Sequence, residues 1–164
     1  MSFLQRVQWD AAKGAHFDAG MRYLFIKPEA LMGFVLELPA GMRPAAIDAM
    51  ARSVAIHGSK SAQTYQAMGA DEGEKLLTVI RDTAAELGWG IWRFERTEGA
   101  LRLTVANSPF AAGYGPAEFP VCGPIRGMLT AVGAMVLGAP VAVTETACAA
   151  MGAPECRFAV EVAR

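Results

Sequence analysis

The chain has 164 residues, enough for one domain with a substantial core, and 53% of them are apolar against 19% charged. Its formal net charge is −1 and no stretch gathers Lys or Arg into a patch, which argues against nucleic acid as a direct partner. So high an apolar fraction points instead to a cavity for an apolar ligand, a hydrophobic subunit interface, or both.

The opening residues run Met1-Ser2-Phe3-Leu4-Gln5-Arg6 and soon meet Gln8, Asp10 and Lys13, without the unbroken apolar run of a signal peptide. Residues 1–20 are weakly patterned and read as an N-terminal arm or short helix, with residues 21–164 as a single domain. Arg22-Tyr23-Leu24-Phe25-Ile26 has the composition of a strand. Pro28 suits the first turn of a short helix carrying Leu31, Phe34 and Val35. Pro44 opens a longer helix, in which Ile47, Met50, Val54, Ser61, Tyr65 and Met68 recur at helical spacing with His57 and Gly58 on the same stripe. Gly69 stops it, and a second helix from about Asp71 carries Leu76, Leu77, Ile80, Ala84 and Leu87 on one face.

Past Gly88 and Gly90 the period changes. Ile91-Trp92-Arg93-Phe94-Glu95-Arg96 and Leu101-Arg102-Leu103-Thr104-Val105 alternate around Glu98-Gly99, a hairpin signal. Residues 108–120, rich in Gly, Pro and Ala, read as a loop. Residues 124–137 read as a buried helix whose only charge is Arg126. The uncharged run 127–144 approaches bilayer length, but Pro140 and the β-branched residues after it favour a buried helix followed by a strand over a membrane span. Residues 140–146 and 156–162 form a final strand pair. The order of elements predicts an α+β fold with an antiparallel sheet packed with helices.

Cys122, Cys148 and Cys156 all lie in the last quarter of the chain. An odd number argues against a disulfide framework, and thiolates fit a reducing compartment, so the expected location is cytoplasmic. Side chains two apart share a strand face, which puts Glu145 with Val141 and Val143, and Cys156 with Phe158, Val160 and Val162. Glu145 then lies on a buried face, where an isolated carboxylate needs a partner charge. Gly152 and Pro154 can turn the chain between Cys148 and Cys156, while Cys122 precedes Gly123-Pro124 at a helix start that favours a thiolate. Cys122, Glu145, Cys148 and Cys156 thus make a donor set suited to a closed, structural Zn2+ site, with Arg126 and Arg157 as candidates to offset its excess negative charge. Spacing alone leaves a second reading open, three free core cysteines, because no paired CxxC is present.

Pro120-Val121-Cys122, the glycine-bearing apolar helix after it, Glu145-Thr146-Ala147-Cys148, and Gly152 through Cys156-Arg157-Phe158 resemble the 4-vinyl reductase domain family. The resemblance is specific over residues 119–162 and weaker over 20–65. The family includes the phenol-sensing domains of bacterial aromatic-catabolism activators and a free-standing protein of bacteriochlorophyll biosynthesis, hence of photosynthesis. Vesicle-tethering transport-particle subunits share its fold more distantly. The Cys, Glu-x-x-Cys and final Cys spacing is similar to the zinc-binding spacing of the phenol sensors, which implies Cys122, Glu145, Cys148 and Cys156 as ligands. It also implies a homodimer with a zinc-anchored C-terminal hairpin and a pocket near the zinc. The activators continue into ATPase and DNA-binding domains that this chain lacks, so the expectation leans to the free-standing type.

The leading expectation is a non-catalytic binding protein for a hydrophobic or aromatic small molecule, with a tetrapyrrole as first candidate. Trp89, Trp92, Phe94, Phe110, Tyr114, His57 and Tyr65 would supply flat apolar walls and N–H donors. Each has a plainer reading: Trp92 and Phe94 as hairpin core, His57 as a satisfied core histidine, and the Phe110 to Tyr114 segment as a lid or a surface loop. Three alternatives stand beside it. One is a sensor domain for small aromatic compounds. Another is a vinyl-group reductase, which lacks a Gly-rich dinucleotide fingerprint and an Fe–S cysteine set in its favour. The last is an interaction module using helix 124–137 as its contact face.

Overall fold

Two glycines on one helix decide how the longest elements meet. In the computed structural model, which describes residues 2–67 and 73–163, helix α3 (Arg43–Ala67) crosses helix α6 (Gly123–Leu137). A Cβ on Gly123 would strike the Ile47 carbonyl, and one on Gly127 the Ala51 carbonyl, so only glycine lets the backbones approach this closely. The opposite side of α6 lies on a sheet, where Gly133 accommodates Val160 and Val141. The helix is therefore apolar on all sides because it is covered on all sides.

That sheet has four antiparallel strands in the order β4-β5-β7-β6: β4 (Ile91–Thr97), β5 (Ala100–Ala106), β6 (Val141–Ala147) and β7 (Cys156–Val162). Gly99, at φ +72°, turns β4 into β5. Leu101, Leu103 and Val105 on β5 are buried, as are Cys156, Phe158 and Val160 on β7. Val162, expected on the same face, is 39% exposed at the strand's end. The register slips between Glu145 and Ala147, and this bulge re-aims the chain into Cys148.

A second antiparallel sheet, β1 (Gln8–Asp10), β2 (Ala15–Asp18) and β3 (Met21–Tyr23), follows the short helix α1 (Phe3–Arg6). Arg6 grips the buried Asp18 through two hydrogen bonds of 3.1 and 3.0 Å. The strand expected over 22–26 stops at Tyr23 because its partner ends opposite it: Tyr23 pairs with His16, at the start of β2. Leu24, Phe25 and Ile26 consequently project into solvent.

Helix α2 (Pro28–Leu36) takes Pro28 at its first turn, and α4 (Gly73–Glu86) buries Leu76, Leu77, Ile80, Thr83 and Ala84. The expected end of α3 at Gly69 and start of α4 near Asp71 lie outside the described residues. Residues 108–120, expected as a loop, contain helix α5 (Pro109–Tyr114). Ser108 caps it by accepting from the Ala111 N–H, Pro109 fits its first turn, and Gly113 packs closely on Pro28. The molecule is thus α+β, with two antiparallel sheets packed against helices. Among the described residues no single helix is long and apolar enough to cross a membrane.

Candidate metal centre and apolar pocket

Four separate pieces of backbone deliver the C-terminal cluster. Cys122 is the N-cap of α6, Glu145 points inward from β6, Cys148 follows the bulge, and Cys156 opens β7. A single 3-10 turn (Ala149–Met151), ended by Gly152 at φ +92°, folds Cys156 back beside Cys148. All four side chains are buried, and one donor atom from each lies within 4.8 Å of the others. The Cys122 and Cys156 sulfurs are 3.5 Å apart. The Cys122 N–H donates to Glu145 Oε2 at 3.0 Å, and the Ala149 N–H to Cys156 Sγ at 3.3 Å. Ser108 Oγ, also buried, sits 3.3 Å from Cys122 Sγ.

The electrostatics are those of a site built around a missing charge. Burial, then a hydrogen bond with Cys148, raises the Glu145 carboxyl to about 8. Cys122 is raised by its hydrogen bonds to Cys148 and Cys156 and by burial. Cys156 is lowered, chiefly by hydrogen bonds from Cys122 and Cys148, with the Ala149 N–H adding to them. Glu145 Oε1 is buried with no hydrogen-bond partner. A buried, unpaired carboxylate oxygen beside three sulfurs fits a metal ion, so Cys122, Glu145, Cys148 and Cys156 could hold one.

Neither arginine expected to offset the cluster's charge reaches it. Arg157 alternates onto the outer face of β7 and pairs with Glu155 at 3.5 Å. Arg126 is drawn to Asp48 at 2.6 Å. The compensating groups within reach are instead the Cys122 and Ala149 N–H donors and the Ser108 hydroxyl.

A pocket of about 290 Å³ opens between α3, α4 and β4. His57, Trp89 and Trp92 line it as expected, joined by Tyr23, Ser53 and Thr83, among others. These last residues escaped the sequence reading because they sit on three elements far apart in the chain; the one available signal was the apolar stripe of α4. His57 is an exposed rim residue and not a core histidine. The Trp92 indole N–H already donates to the Trp89 carbonyl at 3.0 Å, so Trp92 serves as a wall and not as a donor. The His57 imidazole and the Trp89 indole N–H have no hydrogen-bond partner among the described residues.

The remaining aromatics divide differently. Phe110 stands behind Trp89, edge to face at 5.1 Å, and lines an adjoining cleft. Phe94 packs on Trp92 at 5.8 Å and Tyr114 on Phe119 at 5.9 Å; both belong to the hydrophobic core, and neither lines the pocket or the cleft. The Tyr65 side chain lies outside the described residues. None of the four cluster residues lines the pocket. The two features communicate through α5, from Cys122 to Ser108 to Phe110 to Trp89.

Residues 101–162, which contain the whole cluster, match the vinyl-4-reductase domain family. The fold resembles the phenol-responsive sensory domain of the transcription activator PoxR, solved with phenol: TM-score 0.82 at 17% identity, over 97% of this chain and 86% of that one. A vinyl-4-reductase family protein from Methanocaldococcus jannaschii gives a TM-score of 0.51 at 14% identity, over 88% of this chain and 100% of that one. A trafficking protein particle complex subunit 3 from Naegleria fowleri, covalently bound to palmitic acid, gives 0.57 at 12% identity, over 84% and 95%. No curated protein matches the sequence. At these identities the likeness is one of fold.

Proposed function

We propose that this chain, with its vinyl-4-reductase-type domain, binds a small single-ring aromatic compound in the pocket between α3, α4 and β4, and that a structural zinc ion ties its C-terminal hairpin to α6. The observation carrying the first part is the pocket itself. It has aromatic walls, no charged lining side chain, and two unengaged N–H donors at His57 and Trp89 suited to a phenolic oxygen. Its volume supports one ring over a tetrapyrrole. A cavity of about 150 Å³ accommodates benzene, so four linked rings call for roughly four times that space. The pocket has about 290 Å³. The phenol held by the PoxR sensory domain supports the same ligand class.

Zinc is the ion proposed because three sulfurs and a carboxylate suit it, whereas Mg2+ and Ca2+ favour oxygen donors. A filled four-ligand shell would leave no position for a reacting water, so a binding role is proposed over turnover.

Elemental analysis of chelator-free protein should find one zinc per chain, and calorimetry should show saturable phenol binding. Replacing His57 with Ala should weaken phenol about three- to tenfold, the worth of one hydrogen bond. Zinc-loaded protein that gives no phenol binding would sink the ligand assignment; undegraded protein with no metal would sink the zinc assignment.

A further inference from the structure

The apolar surface continues past Trp89. A cleft of about 460 Å³ adjoins the pocket, and Tyr23, Ser53, Val54, Leu87 and Trp89 line both. Beyond those shared residues its walls include Leu24, Phe25, Ile26, Leu31, Met50 and Phe110, with no charged side chain. Leu24, Phe25 and Ile26 are 83%, 56% and 51% exposed, three consecutive large apolar side chains left facing water. Exposed apolar area of this kind is unfavourable in proportion to its extent and is relieved by an apolar occupant.

Resting on the pocket assigned above, we propose that the ligand is a neutral phenol-type ring carrying an alkyl chain, with the ring in the pocket and the chain laid along the cleft beside Leu24, Phe25 and Ile26. The orientation follows from where the polar groups are. His57 and Thr83 line the pocket only, whereas the only polar side chains of the cleft are Tyr23, Ser53 and Trp89, which it shares with the pocket. The charge state follows from the same walls. Neither space presents a Lys or Arg, so the carboxylate of a fatty acid would be desolvated without a cationic partner there. The cleft has about three times the room of a benzene-sized cavity, enough for a chain of several carbons.

The test is a titration of the full chain with phenol and 4-methyl, 4-ethyl, 4-butyl and 4-hexylphenol, with nonanoate as the ring-free acid. Kd should fall about fourfold for each methylene that enters the cleft, and nonanoate should bind at least tenfold more weakly than 4-hexylphenol. The double substitution Leu24→Ser with Ile26→Ser, at two exposed positions, should at least halve the gain per methylene while phenol itself changes less than twofold. Phenol binding with 4-hexylphenol within twofold of it, or excluded, overturns the inference and leaves the single-ring assignment standing. Binding of neither overturns both. Nonanoate equal to 4-hexylphenol overturns the neutral ring, and an unaltered increment in the double variant overturns the placement of the chain.

Discussion

A carboxyl group 7% exposed among three sulfurs can avoid an isolated charge in two ways, by keeping a proton or by facing a cation. In the metal-free protein Glu145 takes the first, with its ionisation raised from 4.5 to about 8. Between those values the folded state holds a proton that the unfolded chain has lost. The stabilisation is complete below 4.5 and disappears as the pH rises through about 8. Zinc needs the carboxylate, so binding expels that proton and the affinity of the site rises with pH over the same window, by up to about tenfold per unit from this group. Chelator competition between about pH 6 and pH 8 should show that slope. Glu145→Gln should bind zinc more weakly and lose this component of the slope; an undiminished slope would assign the proton release to the cysteines alone.

Helix α6 links the metal cluster to the fold, and its placement depends on side chains that are absent. A methyl group at Gly127 would meet the Ala51 carbonyl and Val54, both fixed in α3. Gly127→Ala should therefore cost about 3 kcal/mol, read as a lower denaturation midpoint, since overpacking against backbone cannot relax by rotamer change. Gly33→Ala on α2, which meets open space, is the control and should be neutral or stabilising by about 0.5 kcal/mol. Equal losses at both positions would mean that helix crossing is not what selects glycine at 127. Helix α5 makes the complementary point. Six residues rarely hold a helix alone, yet α5 is pinned by the Ser108 cap, by Gly113 against Pro28, and by buried Phe110, Ala111 and Tyr114.

The cluster joins the start of α6, the end of β6 and the start of β7, whereas the N-terminal sheet is held separately by the Arg6–Asp18 pair. Stripping the metal should accordingly have an uneven effect. Hydrogen exchange should quicken along β6, β7 and the first turn of α6, with β1, β2 and β3 unchanged. Uniform acceleration across both sheets would mean that the ion supports the whole fold and not its C-terminal part. The pocket lies between these regions, drawing Tyr23 from β3 and Trp92 from β4.

The cluster was legible because it rests on local rules. Period-two alternation put Glu145 and Cys156 on buried faces, Gly152 marked the turn, and three sulfurs with one carboxylate specify a class of ion by their chemistry. The hairpin over 91–106 and the buried helix 123–137 followed from the same periodicities. Helix α5 carried its own cap signals, which its Gly and Ala content masked. What the chain pattern left open was every question about which side chains face a shared space. Trp92 and Phe94 are identical by alternation, yet one walls the pocket and the other does not, and Tyr114 is core while His57 is rim. Arg126 chose Asp48, on another helix, over the cluster. Leu24, Phe25 and Ile26 look like core and stand in solvent, because β2 ends opposite Tyr23. Periodicity is written along one segment, but a cavity is what remains when segments distant in sequence pack imperfectly, and only their packing determines its walls.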